Sequence, residues 1–313
     1  PWFYYLYYGD QQILEQHYHG MKHWVEYLGT RTDESGLVVR EEPNGWCLGD
    51  WATPAKIELP EPLVNTCFYY YCADLMSRVA AILGKEKDRE HFAELKNKIK
   101  IALNQHYFNP LENRYWTSYQ GADVFPLSFG MVPEDRIAAV FASLIEHVEK
   151  NKGHLDTGIL ATPLLLEVLT DMGREDLAFT IMNQRDFPSF GDYILGKGAT
   201  TLWEEWDGRN SHSHPMYGSV IRWFYKSLSG INPDPRQPGF KHIIFKPTPC
   251  GDLTFVNASY NSLYGPIKSE WKINGNDFEL NIEIPANTTA TVYIPASGAN
   301  NVIYNKKSSI HFV

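Results

Sequence analysis

The segment GATTLWEEWD at residues 198–207 places two adjacent glutamates between two tryptophans, which is a pattern that can do chemistry. A carboxylate among aromatic rings can act as a general base, and the rings can stack on the flat C–H faces of a sugar. The alternative is a solvated surface turn. We expect Glu204 to face the aromatic rings, and Glu205 to point outward or to pair with Arg209.

A second candidate segment, SHSHPMYGSV at 211–220, places a histidine at the start of a predicted helix over 216–229. Pro215 suits the first helical position, which makes His214 the N-cap residue. The positive end of a helix dipole favours a neutral imidazole, which can both donate to and accept from sugar hydroxyls. A capping histidine without a ligand is the alternative.

A third candidate segment is GWCLGDWATP at 45–54, where Asp50 precedes Trp51 in a glycine- and proline-rich loop. An acid beside an indole suits hydrogen bonding to a sugar beneath a stacking ring, and it suits a turn equally well. The sequence has no P-loop, dinucleotide-binding glycine pattern, HExxH motif or nucleophile elbow. We therefore expect no cofactor and no catalytic metal.

Composition narrows the choice of partner. The 313 residues carry a net charge of -9 without a block of Lys or Arg, which argues against nucleic acid and anionic membranes. No apolar run reaches the roughly 18 residues that a membrane span needs. Nine Trp and 19 Tyr suit a carbohydrate partner or a large core. The four cysteines lack metal-ligand spacing and are expected to be free thiols.

The elements that must position these residues are mostly helical up to about residue 231. Periodic apolar stripes predict about seven helices: 11–29, 60–83, 86–106, 133–148, 158–172, 174–184 and 216–229. The long loops between them, 40–58, 107–132 and 185–214, fit one rim of a helical barrel and are expected to carry function.

After residues 230–240 the apolar period changes from that of a helix to that of a strand. Two alternating runs around Asn274-Gly275-Asn276 predict a β-hairpin. Further strands are expected at 242–247, 253–260 and 289–294. The sequence thus predicts a helical domain at 1–235 and a small antiparallel β-sandwich at 236–313.

Taken in order along the chain, several segments resemble the α-L-rhamnosidases of glycoside hydrolase family 78. They are LGDWATP, the block that begins HLDTGILATP, GATTLWEEWDG followed by SHSHPMYGSV, and the C-terminal stretch from GFKHIIFKPTPCGDLTF to SEWKI. The resemblance covers essentially the whole chain. It implies an (α/α)6 barrel followed by a β-sandwich, and hydrolysis of a terminal rhamnoside with inversion at the anomeric carbon.

The resemblance also implies roles for individual residues. Glu204 would be the general base that takes a proton from the attacking water. The other positions that match the family lie around the sugar: Trp51 and Trp203 beside it, His214 on its hydroxyls, and Asp50 and Trp206 as pocket wall or support. The implied partner is a rhamnose-containing carbohydrate.

Two features depart from the family pattern. The general acid of the family lies upstream of a segment like YYGDQQIL, and this chain begins too late to contain it. The loop from Glu204 to His214 is also shorter than the family's. With about seven helices where the double ring of the family has twelve, the chain is expected to be the C-terminal part of a barrel. Exposed apolar faces would then pack against the missing N-terminal part or a second copy.

Two other functions stay open at this point. One is a different inverting glycosidase on the same barrel, similar to a glucoamylase or trehalase, with Asp50 as its acid. The other is a sugar-binding module without catalysis.

Overall fold

The computed structural model describes residues 1–39, 47–55, 59–117, 119–296 and 303. The segments 40–46 and 56–58 of the predicted 40–58 loop lie outside the described residues. So do residues 297–302 and 304–313 at the end of the predicted β domain. The helical part contains nine α-helices among the described residues: α1 (Trp2–Tyr8), α2 (Gln12–Thr30), α3 (Glu61–Ile82), α4 (Glu86–Tyr107), α5 (Gln120–Phe129), α6 (Ile137–Lys150), α7 (Ala161–Asp171), α8 (Glu175–Met182) and α9 (Ile221–Trp223).

Successive helices form hairpins and alternate between two layers. α3 packs on α4, α5 on α6 and α7 on α8, while α5 also contacts both α3 and α7. The inner helices α3, α5 and α7 bury residues on most of their circumference, whereas α4 buries only a narrow stripe. The helix predicted at 158–172 is confirmed by α7, which is one of these inner helices.

Two helical predictions need correction. The segment 107–132 was expected to be a loop, but it holds a short hairpin of β1 (Phe108–Asn109) and β2 (Arg114–Tyr115) followed by α5. Pro126 inside α5 obscured that helix in the sequence. The predicted helix at 216–229 is continuous but irregular: a 3₁₀ turn at Pro215–Val220, then α9, then a π turn at Phe224–Leu228.

The C-terminal part contains two three-stranded sheets. β5 (Phe255–Ser262), β6 (Gly265–Asn274) and β7 (Asp277–Glu283) form an antiparallel meander. The predicted hairpin is confirmed, because Asn274 pairs with Asp277 across a two-residue turn in which Gly275 has a φ of 61°. The second sheet has the order β3 (Ile231–Pro233), β4 (His242–Phe245), β8 (Thr289–Val292), and β8 runs parallel to β4.

The inner face of β6 attaches the meander to the helices. The Trp271 indole N–H donates to the carbonyl of Leu228 at 2.7 Å, and the Ser269 hydroxyl donates to that of Ser229 at 2.6 Å. Both side chains are buried. The expected order, a helical domain followed by a small β domain, is confirmed, and Cys67, Cys72 and Cys250 are free thiols as predicted.

Candidate active site

The loop at 202–214 folds back on itself, so that its two ends lie side by side and are joined by backbone hydrogen bonds. The N–H of Glu204 donates to the carbonyl of Ser211, and the N–H of His214 donates to that of Leu202, each at 2.9 Å. Gly208 and Asn210 adopt positive φ values of 86° and 61°, which reverse the chain between the two stretches. The loop therefore brings Glu204 and His214 to the same place.

The Glu204 side chain is the centre of a small polar cluster and is only 16% exposed. The Trp51 indole N–H donates to its Oε1 at 3.3 Å, and the N–H of Ser211 donates to its Oε2 at 3.3 Å. The His214 Nδ1 lies 3.7 Å from Oε2. The structure thus brings together three of the residues singled out in the sequence: Glu204, Trp51 and His214.

Trp51 reaches Glu204 because its backbone is fixed against the start of α7. The N–H of Ile159 donates to the Trp51 carbonyl at 2.8 Å. Gly158 lies so close that an added Cβ would be 2.2 Å from that carbonyl oxygen, a distance that no real side chain tolerates. A glycine is therefore required where the loop at 47–55 meets α7.

The Asp50 carboxylate is hydrogen-bonded to the backbone at the start of α7. Its carboxylate accepts hydrogen bonds from the backbone N–H groups of Gly158 at 2.8 Å and of Leu160 and Ala161 at 3.0 Å each. These are among the groups left without partners at the start of α7. Burial raises the pKa of Asp50 to about 6, although the three backbone donors oppose that rise. Asp50 anchors the loop beneath Trp51.

Trp203 and Trp206 are packed into the protein, being 9% and 2% exposed. The Trp203 ring is stacked with those of Tyr193 and His212, with centroids 5.2 and 4.3 Å apart. Trp206 contacts Tyr217 at 4.5 Å and other buried rings. Neither indole therefore offers much free face on which a sugar could stack.

Glu205 does not point into solvent. Its side chain is 11% exposed and accepts a hydrogen bond from the Asn210 amide at 3.3 Å. The expected pairing with Arg209 is present at 4.0 Å. Burial raises the pKa of Glu205, while Arg209 opposes that rise and the neighbouring carboxylates of Asp207 and Glu204 add to it. Two carboxylates therefore lie side by side in partly buried surroundings.

Comparison with known proteins identifies the family. The family model described as the bacterial α-L-rhamnosidase 6 hairpin glycosidase domain matches residues 1–228. The model of the bacterial α-L-rhamnosidase C-terminal domain matches residues 230–309. The chain belongs to the bacterial α-L-rhamnosidase family.

Individual relatives agree with this assignment. An α-L-rhamnosidase of Streptomyces avermitilis is 35% identical over 96% of this chain, and one of Formosa agariphila is 30% identical over 96%. The solved Streptomyces enzyme, described as complexed with L-rhamnose, matches with a TM-score of 0.86. The α-L-rhamnosidase from Dictyoglumus thermophilum matches with a TM-score of 0.88 at 36% identity over 98% of this chain and 35% of its own.

These α-L-rhamnosidases are much longer than this chain. The chain spans 29% of the Streptomyces protein and 34% of the Formosa protein. Among the described residues of this rhamnosidase-family chain, no group of His, Cys, Asp and Glu has the arrangement of a metal site. No described helix combines the length and apolar character needed to cross a bilayer.

Sequence reasoning missed the backbone partners of the Glu204 cluster. Ser211 donates through its main chain, which no side-chain pattern reveals. Gly158 contributes by having no side chain, which allows the Trp51 carbonyl to approach it closely. In the sequence, the one indication of this role is that Gly158 lies just before the start of α7. Asn210 was also missed, although an asparagine before a polar turn is a usual site for positive φ.

Proposed function

We propose that this chain carries the general-base side of the active site of an inverting α-L-rhamnosidase. Membership of the family supports the proposal, as does the solved relative described as complexed with L-rhamnose. The proposed substrate is an oligosaccharide, polysaccharide or glycoside from which a terminal α-L-rhamnose is removed.

The observation that carries the proposal is the position of the Glu204 carboxylate. Trp51 and Ser211 hold its two oxygens by N–H donors, while the side chain keeps a partly open surface. A carboxylate fixed in this way can accept a proton from a water molecule. Fixed orientation is the main requirement for a general base, because the proton must travel along a hydrogen bond of about 2.6–3.2 Å.

In the proposed reaction, the water oxygen bonds to the anomeric carbon as the bond from that carbon to the glycosidic oxygen breaks. One proton of the water passes to Glu204, and a general acid donates a proton to the leaving oxygen. Inverting enzymes separate their two carboxyl groups by about 6.5–9.5 Å to admit the water. We propose that the acid lies outside these 313 residues.

The other candidate residues are assigned by their contacts. We propose that Trp51 lies beside the sugar while its N–H orients Glu204, and that His214 hydrogen-bonds a sugar hydroxyl. Trp203, Trp206 and Asp50 are proposed to support the site from behind, since the first two are packed against other rings and the third caps α7.

The decisive experiment replaces Glu204 with glutamine in an active polypeptide that contains this chain. We expect Glu204→Gln to lower kcat for an aryl α-L-rhamnoside by several orders of magnitude while rhamnose still binds, measured by steady-state kinetics and calorimetry. Glu279→Gln, an exposed change in β7, is the matched control. Turnover close to wild type in Glu204→Gln would remove the assignment.

The same assays separate the two alternatives. Activity on glucosides but not rhamnosides would favour a glucoamylase- or trehalase-like enzyme, although three backbone N–H groups already occupy the Asp50 carboxylate that this alternative needs as acid. Rhamnose binding without turnover in the wild-type polypeptide would favour a sugar-binding module.

We also propose that the exposed aromatic face of α1 is a contact surface for the rest of the barrel or for a second copy. Phe3, Tyr4 and Tyr8 are 50%, 46% and 44% exposed. Exposed aromatic clusters of this kind favour association. Sedimentation of the chain alone and of a longer polypeptide would test this, because a monomeric chain would leave only the rest of the barrel as the partner.

A further inference from the structure

We propose that Glu205, the second glutamate of the Trp-Glu-Glu-Trp segment, is a positioning residue for the reaction. Its carboxylate fixes the turn at 205–210, and that turn places the backbone donor on which the Glu204 carboxylate rests. The inference depends on the proposed function and deepens it, since it assigns the neighbouring carboxylate a separate task.

Several contacts hold the turn. The N–H of Gly208 donates to the Glu205 carbonyl at 3.1 Å, and the N–H of Arg209 donates to the Asp207 carboxylate at 3.0 Å. The Glu205 side chain makes two further contacts: it accepts from the Asn210 side-chain amide at 3.3 Å and pairs with Arg209 at 4.0 Å. The first of these acts on Asn210, whose φ of 61° is uncommon for a residue with a side chain.

The position of Asn210 matters because Ser211 follows it directly. The N–H of Ser211 donates to Glu204 Oε2 at 3.3 Å, and the carbonyl of Ser211 accepts from the Glu204 N–H at 2.9 Å. If Asn210 leaves its left-handed conformation, the Ser211 peptide turns and both contacts with Glu204 change. A displacement of about 1 Å in a reacting group can cost about 100-fold in rate.

Two variants test whether the acceptor oxygen of Glu205 matters for the reaction. Glu205→Ala removes both the acceptor for Asn210 and the charge, whereas Glu205→Gln keeps an acceptor oxygen and removes only the charge. We expect Glu205→Ala to lower kcat by about 10- to 100-fold with little change in KM. We expect Glu205→Gln to recover most of kcat.

The measurement uses an aryl α-L-rhamnoside and an active polypeptide containing this chain, with Glu279→Gln as control and thermal melting as the check on folding. If the wild type is active and Glu205→Ala keeps its kcat, this inference is wrong while the proposed function stands. If the wild type does not hydrolyse the rhamnoside, both are wrong. Should Glu205→Ala not fold, a kcat of Glu205→Gln that lies about 10-fold or more below wild type overturns the inference, because that variant keeps the acceptor for Asn210.

Discussion

Replacing Asp50 with alanine should destabilise the protein by an amount that depends on pH. The carboxylate accepts from the N–H groups of Gly158, Leu160 and Ala161, and no other side chain caps the start of α7 among the described residues. A buried donor left without an acceptor costs about 1–3 kcal/mol. Because water can reach some of these groups in the space left by alanine, we expect a loss of about 3 kcal/mol at pH 8.

The pH dependence follows from the raised pKa of Asp50. Burial places this pKa at about 6 in the folded protein, against 3.8 for an ordinary aspartate. The folded state therefore binds the Asp50 proton more tightly than the unfolded state, and the wild type loses stability as pH rises from about 4 through 6. Alanine does not titrate. The destabilisation caused by Asp50→Ala should therefore be larger at pH 5 than at pH 8, by about 1 kcal/mol.

The assay is urea unfolding followed by tryptophan fluorescence at both pH values. Asp50→Asn is the matched variant, because its amide oxygen can still accept from Leu160 and Ala161 while its N–H₂ faces the N–H of Gly158. We expect it to lose less stability than alanine. A loss below about 1 kcal/mol for Asp50→Ala, or a loss that grows with pH, would refute the reasoning.

Three other predictions concern the same region and the buried core. Trp51→Phe keeps the ring but removes the N–H that reaches Glu204, so kcat should fall about 10-fold with KM nearly unchanged in steady-state assays. Gly158→Ala places a Cβ 2.2 Å from the Trp51 carbonyl, and thermal melting should show a loss of about 3 kcal/mol or more. Burial raises the pKa of Asp123 to about 7, so the wild type loses stability as pH rises through 7. Asparagine does not titrate. The free energy of unfolding of Asp123→Asn relative to that of the wild type should therefore be about 2 kcal/mol higher at pH 9 than at pH 5, measured by urea unfolding.

Much of the fold could be predicted because its helices are periodic. The predicted helices at 11–29, 60–83 and 86–106 agree with α2, α3 and α4 to within one or two residues at each end. α5 was missed because it is short, contains Pro126 and is buried nearly all round, which leaves no amphipathic stripe. The parallel pairing of β8 with β4 is a contact between distant segments, and local alternation carries no information about it.

The part of the candidate site that could be predicted is the part in which two neighbouring residues lie on one short segment of the sequence. Glu204 and His214 lie on the same loop, and the proline after His214 indicated its place at the N-cap. The packing of Trp203 was not predictable, because tryptophans on either side of two acids suggest an exposed ring on which a sugar could stack. In the structure, the Trp203 ring stacks with the rings of Tyr193 and His212. Tyr193 lies on a separate π turn, Asp192–Gly196, which is distant from Trp203 in local sequence pattern.

The Glu204 carboxylate is positioned by a set of contacts made mainly by backbone atoms. Glu204 rests on the N–H of Ser211 and on the indole of Trp51, which lies 153 residues away in the sequence. Two contacts hold the backbone of Trp51. Gly158 packs closely against the Trp51 carbonyl, and the carboxylate of the preceding residue, Asp50, accepts hydrogen bonds from backbone N–H groups at the start of α7. Backbone donors are the same for every residue type, so side-chain patterns indicate which residue reacts but not what orients it. Variants at Asp50 and Gly158 should therefore impair the reaction through Trp51, although neither residue contacts Glu204 in any hydrogen bond or ion pair of the described structure.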